Sequence, residues 1–225
     1  MSFVPSSIAT RAVGRPIRSE PADPASRLRS TAGVQRVPAR DVELFIARRF
    51  IDPDLCRQLI ARIDERRRPS QIADDIGDAQ FRTSETCDLD GSDPMVAKVE
   101  EAIAALLGLP LALGEPIQGQ RYAPGQEFKP HTDTFEPTGA DFFVHCAARG
   151  NRSWTAMIYL NEPEQGGATR FKAVGKIVQP ETGKLLAWNN LLSDGRPNPA
   201  TLHQGMKVRQ GTKYILTKWF RERAA

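Results

Sequence analysis

The chain contains three histidines, and one of them stands in a His-x-Asp pair, His131-Thr132-Asp133. On an extended strand the side chains at i and i+2 leave the same face, so the imidazole and the carboxylate project together while Thr132 points away. Such a pair is two-thirds of a facial site of two histidines and one carboxylate, the donor set that holds non-haem Fe(II) with coordination positions left open. A second imidazole must then come from far along the chain. His203, 70 residues after Asp133 in Thr201-Leu-His-Gln-Gly, sits on a predicted strand, whereas His145 falls in an irregular stretch and is a spare. Zinc binds similar donors, which keeps a zinc hydrolase among the readings, but hydrolysis needs a positioned general base as well.

A cation is placed by the same alternation. After His203 a hairpin with its turn at Gln210-Gly211 returns the chain beside it as a strand over 213–220. Lys213, Ile215, Thr217 and Trp219 share one face of that strand, and Tyr214, Leu216, Lys218 and Phe220 share the other. Ile215 and Trp219 mark the first face as inward, so Lys213 is predicted to point inward too. A buried ammonium is costly unless an anion meets it. No carboxylate lies near in the sequence, and a bound dicarboxylate would serve.

These residues need a scaffold. Val42–Ile51 reads as a strand, and Asp52-Pro53 then supplies an N-cap and a proline for the first helical position. Leu55, Leu59, Ile60 and Ile63 form one face of the helix that follows, to about Arg67. Residues 68–92 read as loop-rich. A second helix starts at Asp93-Pro94, carries Val96, Val99, Ile103, Leu106 and Leu107 as its apolar stripe, and stops at Gly108. Beyond residue 115 the pattern changes to short strands between Gly, Pro and Asn turns: 115–123, 127–133, 154–161, 168–172, 176–179, 184–189, 200–204, 206–209 and 213–220. Two helices followed by many short strands predict an α+β fold, a double-stranded β-helix (jelly roll) core with N-terminal helices packed against it. The long irregular stretch 134–153, directly after the His-x-Asp, is where a substrate loop would sit.

Composition bounds the rest. Residues 1–40 hold seven arginines against Glu20 and Asp23; with a net charge of +4 for the chain, the other 185 residues sum to −1. Residues 1–40 are therefore expected to be a basic, mostly disordered leader, able to contact an acidic partner, and 41–225 the folded domain. No clear nucleic-acid site is evident, and no apolar run approaches the roughly 18 residues of a membrane span. Three scattered cysteines, Cys56, Cys87 and Cys146, suit a reducing compartment and predict a cytoplasmic protein.

The joint pattern resembles the prolyl 4-hydroxylase family of Fe(II)/2-oxoglutarate dioxygenases. The resemblance rests on Arg82-Thr83-Ser84, the stretch Gln118 to Asp133, Arg152 to Asn161, Gly166-Gly167-x-Thr169-x-Phe171, Pro180-x-x-Gly183, Leu202-His203 and Gly211-x-Lys213-x-x-x-x-Lys218-Trp219. It implies His131, Asp133 and His203 as ligands to Fe(II), and Lys213 as the partner of the C5 carboxylate of 2-oxoglutarate. It further implies Tyr122 and Thr217 as hydrogen-bonding groups for that cosubstrate, Tyr159 and Trp219 as shaping the pocket, and Arg82, Ser84, Glu115 and Arg152 as lining a peptide-substrate cleft. O2 and a peptide or small molecule would be the other reactants, with L-ascorbate a candidate accessory. Related halogenases lack the carboxylate ligand, so Asp133 argues against halogenation. Two departures fall on the substrate side: Trp219-Phe220-Arg221 stands where many members have Trp-Ile-His, and Glu85-Thr-Cys-Asp88 replaces a run of small and aromatic residues. The expected reaction is hydroxylation of an unactivated C–H bond, peptidyl proline first. The alternatives are the same chemistry on a free amino acid or other small molecule, and a non-catalytic jelly-roll binding module.

Overall fold

A computed structural model describes residues 23–70, 80–139 and 141–224. The fold begins earlier than the expected boundary at residue 41. Asp23 caps a helix, α1 (Pro24–Ser30), by accepting from the backbone N–H of Ser26, and a strand, β1 (Val34–Arg36), pairs antiparallel with β2 (Leu44–Ala47). Leu28 is fully buried and Ala25 nearly so. The expected leader is thus corrected in its second half, while residues 1–22 lie outside the described residues. Two apolar positions in a seven-residue helix are too few to register as a period, and the surrounding arginines hide them. Two of those arginines, Arg29 and Arg36, pair with Glu43 at 2.6 and 3.3 Å.

The expected strand over 42–51 is shorter, ending at Ala47 before a turn. Next comes α2 (Pro53–Arg66), where the Asp52 carboxylate accepts from the N–H of Leu55 at 2.8 Å. Two strands, β3 (Arg68–Pro69) and β4 (Glu85–Asp88), interrupt the segment expected to be loop. Then α3 (Pro94–Leu107) starts on Asp93, which accepts from Met95 N–H at 2.9 Å. Gly108 ends it at φ 69°, a left-handed conformation that costs glycine nothing.

Beyond α3 the chain runs through β5 (Gln118–Tyr122), β6 (Phe128–His131), α4 (Asp141–Cys146), β7 (Arg152–Tyr159), β8 (Gln165–Gly166), β9 (Thr169–Phe171), β10 (Lys176–Val178), β11 (Leu185–Asn189), β12 (His203–Gly205), β13 (Val208–Gln210) and β14 (Lys213–Arg221). The short helix α4 lies inside the stretch expected to be irregular. Residues 199–201 form a 3-10 turn, so the strand expected from residue 200 starts only at His203.

The strands form an eight-stranded antiparallel sheet in the order β1-β2-β11-β7-β14-β5-β4-β3 and a four-stranded one in the order β10-β9-β12-β6, with a β13-β8 pair beside them. This is the jelly-roll arrangement. Apolar side chains on one face of the larger sheet, including Leu216, Phe220, Ile158 and Trp154, pack with Leu59 and Ile63 of α2 and Val99, Ile103 and Leu107 of α3. Those on the other face, including Ile215, Tyr122, Tyr159 and Met157, pack with Phe171 of the smaller sheet and Trp188. All nine residues of β14 are buried, because it lies in the middle of a sheet covered on both faces. Its second face is therefore no surface: Lys218 is 3% exposed and pairs with Glu100 at 2.6 Å.

Candidate metal and cosubstrate site

His131 ends β6 and His203 starts β12, and the two residues are direct partners across the antiparallel pair. Asp133 lies two residues past the strand, in a bend rather than on an extended run. One ligand atom from each of His131, Asp133 and His203 falls within 4.8 Å of the others. His203 Nε2 is 4.0 Å from Asp133 Oδ2.

Both imidazoles are held in one tautomer. His131 Nδ1 is 2.8 Å from the Lys129 carbonyl and His203 Nδ1 is 2.9 Å from the Thr201 carbonyl. A carbonyl can only accept, so each Nδ1 carries the proton and each Nε2 keeps its lone pair for a metal. Burial, and then the neighbouring His203, push His131 down to about 3, so it is neutral at ordinary pH. Burial alone would raise the Asp133 carboxyl, but His203, His131, Arg152 and a hydrogen bond from Thr155 hold it below the usual range. Two imidazoles that present Nε2 and one carboxylate fit a ferrous ion with open positions. Phe128 stacks on His131 at 3.5 Å between ring centroids, and Trp188 meets His203 edge-on at 5.0 Å, which limits how either ring can turn.

Lys213 reaches the same cavity from the facing sheet. The expectation that the 213–220 strand returns beside His203 is corrected here: β14 pairs with β5 and β7, not with β12. A turn between strands does not say whether the chain stays in one sheet, and in a jelly roll it crosses to the other. Lys213 is 1% exposed, and burial alone pushes its ammonium from 10.5 down to about 7. The faces of Tyr122 and Tyr159 lie 4.7 and 5.7 Å away, and no hydrogen bond or ion pair reaches the ammonium among the described residues. Gly167, at φ 71°, makes room for the lysine stem; a Cβ there would stand 3.1 Å from Lys213 Cδ.

The cavity between these walls is lined by His131, Asp133, His203 and Lys213 together with Tyr122, Thr217 and Trp219. Gln120, Met157, Thr169 and Trp188 line it as well, and sequence reasoning missed them; alternation along β5 places Gln120 beside Tyr122 and could have found it. Gln120 accepts from the Tyr122 hydroxyl at 2.7 Å and donates to Thr217 Oγ1 at 3.2 Å. The indole N–H groups of Trp188 and Trp219 are buried without a hydrogen-bond partner among the described residues. A partnerless buried cation in this cavity suits a small anion. Tyr159 does not line the cavity. It sits behind the wall with its hydroxyl engaged by Thr169 Oγ1 at 2.6 Å and the Val178 carbonyl at 3.1 Å.

The four residues expected at a substrate cleft fall into two clusters, neither on the cavity wall. Arg82 donates to Gln118 Oε1 at 2.8 Å and contacts Ser84 Oγ at 3.3 Å, with its guanidinium 5.0 Å from the ring centre of Phe128. Arg152 grips Glu115 with two bonds of 2.8 Å and lies 3.9 Å over the Trp219 ring. Arg221, at the place where many family members carry histidine, brings Nε within 2.7 Å of the same Glu115 carboxylate. Burial would raise Glu115, yet Arg152 above all, then Arg221 and Arg149, keep its carboxyl below the usual range. His145 stacks on Phe135 at 4.7 Å and is not part of the metal cluster.

The family model for the 2OG-Fe(II) oxygenase superfamily matches residues 117–221, the segment that carries every one of these cavity residues. The chain belongs to the prolyl 4-hydroxylase family of 2OG-Fe(II) oxygenases. It is 30% identical over 184 residues to the prolyl 4-hydroxylase subunit alpha-1 of Homo sapiens, which covers 81% of this chain and 33% of that one. The chain thus spans about a third of the length of that curated relative. A putative prolyl 4-hydroxylase of Acanthamoeba polyphaga mimivirus is 29% identical over 180 residues, covering 80% of this chain and 74% of that one. Among solved structures, the viral collagen prolyl hydroxylase vCPH from Paramecium Bursaria Chlorella virus-1, in its 2OG complex, shares the fold. Its TM-score is 0.61 at 23% identity, over 84% of this chain and 95% of that one. Fe(II) and 2-oxoglutarate are the metal and cosubstrate that this family membership brings. No described helix is long and apolar enough to cross a membrane.

Proposed function

We propose that this chain is a 2-oxoglutarate-dependent dioxygenase that hydroxylates peptidyl proline. One observation carries the reading: His131, Asp133 and His203 converge within 4.8 Å on one wall of a cavity, and the buried Lys213 enters that cavity from the facing sheet. The two Nε2 atoms and one Asp133 oxygen would hold Fe(II). Bound there, Fe(II) would couple O2 activation to oxidative decarboxylation of 2-oxoglutarate, giving succinate and CO2 and placing one oxygen atom into a substrate C–H bond.

The protein's own residues bind and orient. Lys213 meets the distal carboxylate of the cosubstrate, which pulls its ammonium back toward the charged form. Thr217 already accepts from Gln120, so its hydroxyl proton is left for the same carboxylate. The Tyr122 proton lies on Gln120 and must turn away from it to join them. Trp219, pinned under Arg152, gives the cavity a rigid apolar side that excludes water. The prolyl target rests on the relatives, whose names carry prolyl 4-hydroxylase.

Adding Fe(II) and 2-oxoglutarate anaerobically should produce a weak visible charge-transfer band, and admitting O2 should then yield succinate. Neither should appear with His131→Ala. A proline-containing peptide should gain the mass of one oxygen atom, in comparison with free proline. Absence of both band and succinate from the unmodified protein would overturn the reading, and turnover of free proline alone would overturn the peptidyl substrate.

A further inference from the structure

The carboxylate of Asp133 is held by a hydrogen-bonded chain whose direction can be deduced. Ionised Asp133 can only accept, so Thr155 Oγ1, 2.7 Å from Asp133 Oδ2, must donate its proton to it. The Thr155 oxygen is then free to accept, and Asn190 Nδ2 donates to it at 2.8 Å. That fixes the Asn190 amide with its nitrogen toward Thr155. Thr155 and Asn190 are both fully buried, with no exposed surface.

Asn190 continues toward the second imidazole. Its backbone carbonyl, not the side-chain Oδ1, accepts the N–H of Asn198 at 2.9 Å. Asn198 caps the 3-10 turn at residues 199–201: its side chain accepts from Ala200 N–H at 3.0 Å, and its carbonyl accepts the Thr201 hydroxyl at 2.7 Å. The Thr201 carbonyl in turn takes the proton of His203 Nδ1 at 2.9 Å. Asp133 and His203, 70 residues apart in sequence, are thus the two ends of one buried connection through Thr155 and Asn190.

We propose that Thr155 and Asn190 are positioning residues that hold the Asp133 carboxylate in the direction from which it meets the metal, with Asn190 tying that orientation to His203. The inference rests on the Fe(II) site of the proposed function. The hydroxyl of Thr155 fixes the direction in which the Asp133 carboxylate is presented. Part of its charge is drawn off by the threonine proton, which leaves the metal more electron-poor than a free carboxylate would. Hydrogen-bond partners of metal ligands change affinity by roughly 10- to 100-fold when removed.

The test uses Co(II) alone, without 2-oxoglutarate or O2, on the full chain, read by calorimetry and by the visible Co(II) spectrum. Thr155→Val keeps the shape and deletes the donor; its Co(II) dissociation constant should rise about tenfold or more, with a changed spectrum. Thr155→Ser restores the hydroxyl and should bind like the unmodified protein, a rescue that a purely structural role for the threonine methyl would not give. Asn190→Leu leaves Thr155 its hydroxyl but removes its anchor, and should weaken Co(II) in the same direction by less. The proposal is overturned if Thr155→Val binds within twofold of the unmodified protein with the same spectrum, or if Thr155→Ser is as weak as Thr155→Val. Should Thr155→Val fail to fold, the Asn190→Leu measurement decides, and unchanged binding there refutes the connection. If the unmodified protein binds no Co(II) while folded, the metal site itself falls, an outcome separate from any failure of Thr155 or Asn190.

Discussion

In the protein without its cosubstrate, the ammonium of Lys213 carries a cost that a methionine there would not. Burial lowers it from 10.5 in the open chain to about 7 in the fold. At 1.36 kcal/mol per pH unit, that difference costs about 5 kcal/mol when the group is fully charged in both states. At pH 7 the folded lysine is half neutral, and the cost is about 4 kcal/mol; near pH 9 it is about 2, and above 10.5 it vanishes. The unfolded chain holds more protons than the fold through this window, so stability gained through this residue rises with pH. Lys213→Met, which keeps the length of the stem, should therefore be more stable than the unmodified protein by about 4 kcal/mol at pH 7, with the gap closing toward pH 10. Urea denaturation of both proteins, metal-free and without 2-oxoglutarate, at a series of pH values measures the gap. Comparing the two cancels every other titrating group. A gap that is absent at pH 7, or that does not shrink as pH rises, would refute the claim that this ammonium is buried without an anion. With metal and saturating 2-oxoglutarate the order should reverse, because the dicarboxylate stabilises only the protein that still has the lysine.

Three further outcomes test other parts of the structure. Leu28→Ala should destabilise the protein by about 2–5 kcal/mol in urea titrations, because Leu28 is fully buried; no change would mean that residues 24–36 are a leader after all. Glu115→Gln should flatten the acid limb of the stability curve: the native carboxyl is held below its ordinary value, so its contribution is present above about pH 4.5 and is lost as pH falls through the lowered value. An acid transition unmoved by the substitution would show that Arg152 and Arg221 do not depend on that carboxylate. Asp93→Ala removes the cap of α3 and should cost about 1 kcal/mol without altering Co(II) affinity, since the helix lies behind the larger sheet.

How much of this was readable in advance differs by element. Both long helices were legible because an aspartate cap, a proline and a 3.6-residue apolar period agree locally, as at Asp52-Pro53 and Asp93-Pro94. The start of the fold was not: Asp23-Pro24 offers the same cap and proline, but α1 contributes only Ala25 and Leu28 to the interior, too few to make an apolar period. The departure at Arg221 was visible as a missing histidine, but its use was not: only the fold brings its guanidinium onto Glu115 beside Arg152.

Sequence by itself determined the kinds of donor available and their spacing: an imidazole and a carboxylate two residues apart, a later histidine, and a lysine among apolar neighbours. Only the lysine owes its placement to the strand period, which acts over a few residues; Asp133 lies in a bend past β6. Tertiary structure alone decided that β6 and β12 lie side by side so that His131 meets His203, that β14 sits in the opposite sheet so that Lys213 faces them, and that Thr155 and Asn190 back Asp133. Contacts of that kind depend on the order in which strands are laid into two sheets. No local pattern encodes that order, because each strand's alternation is equally satisfied by any partner that buries the same face.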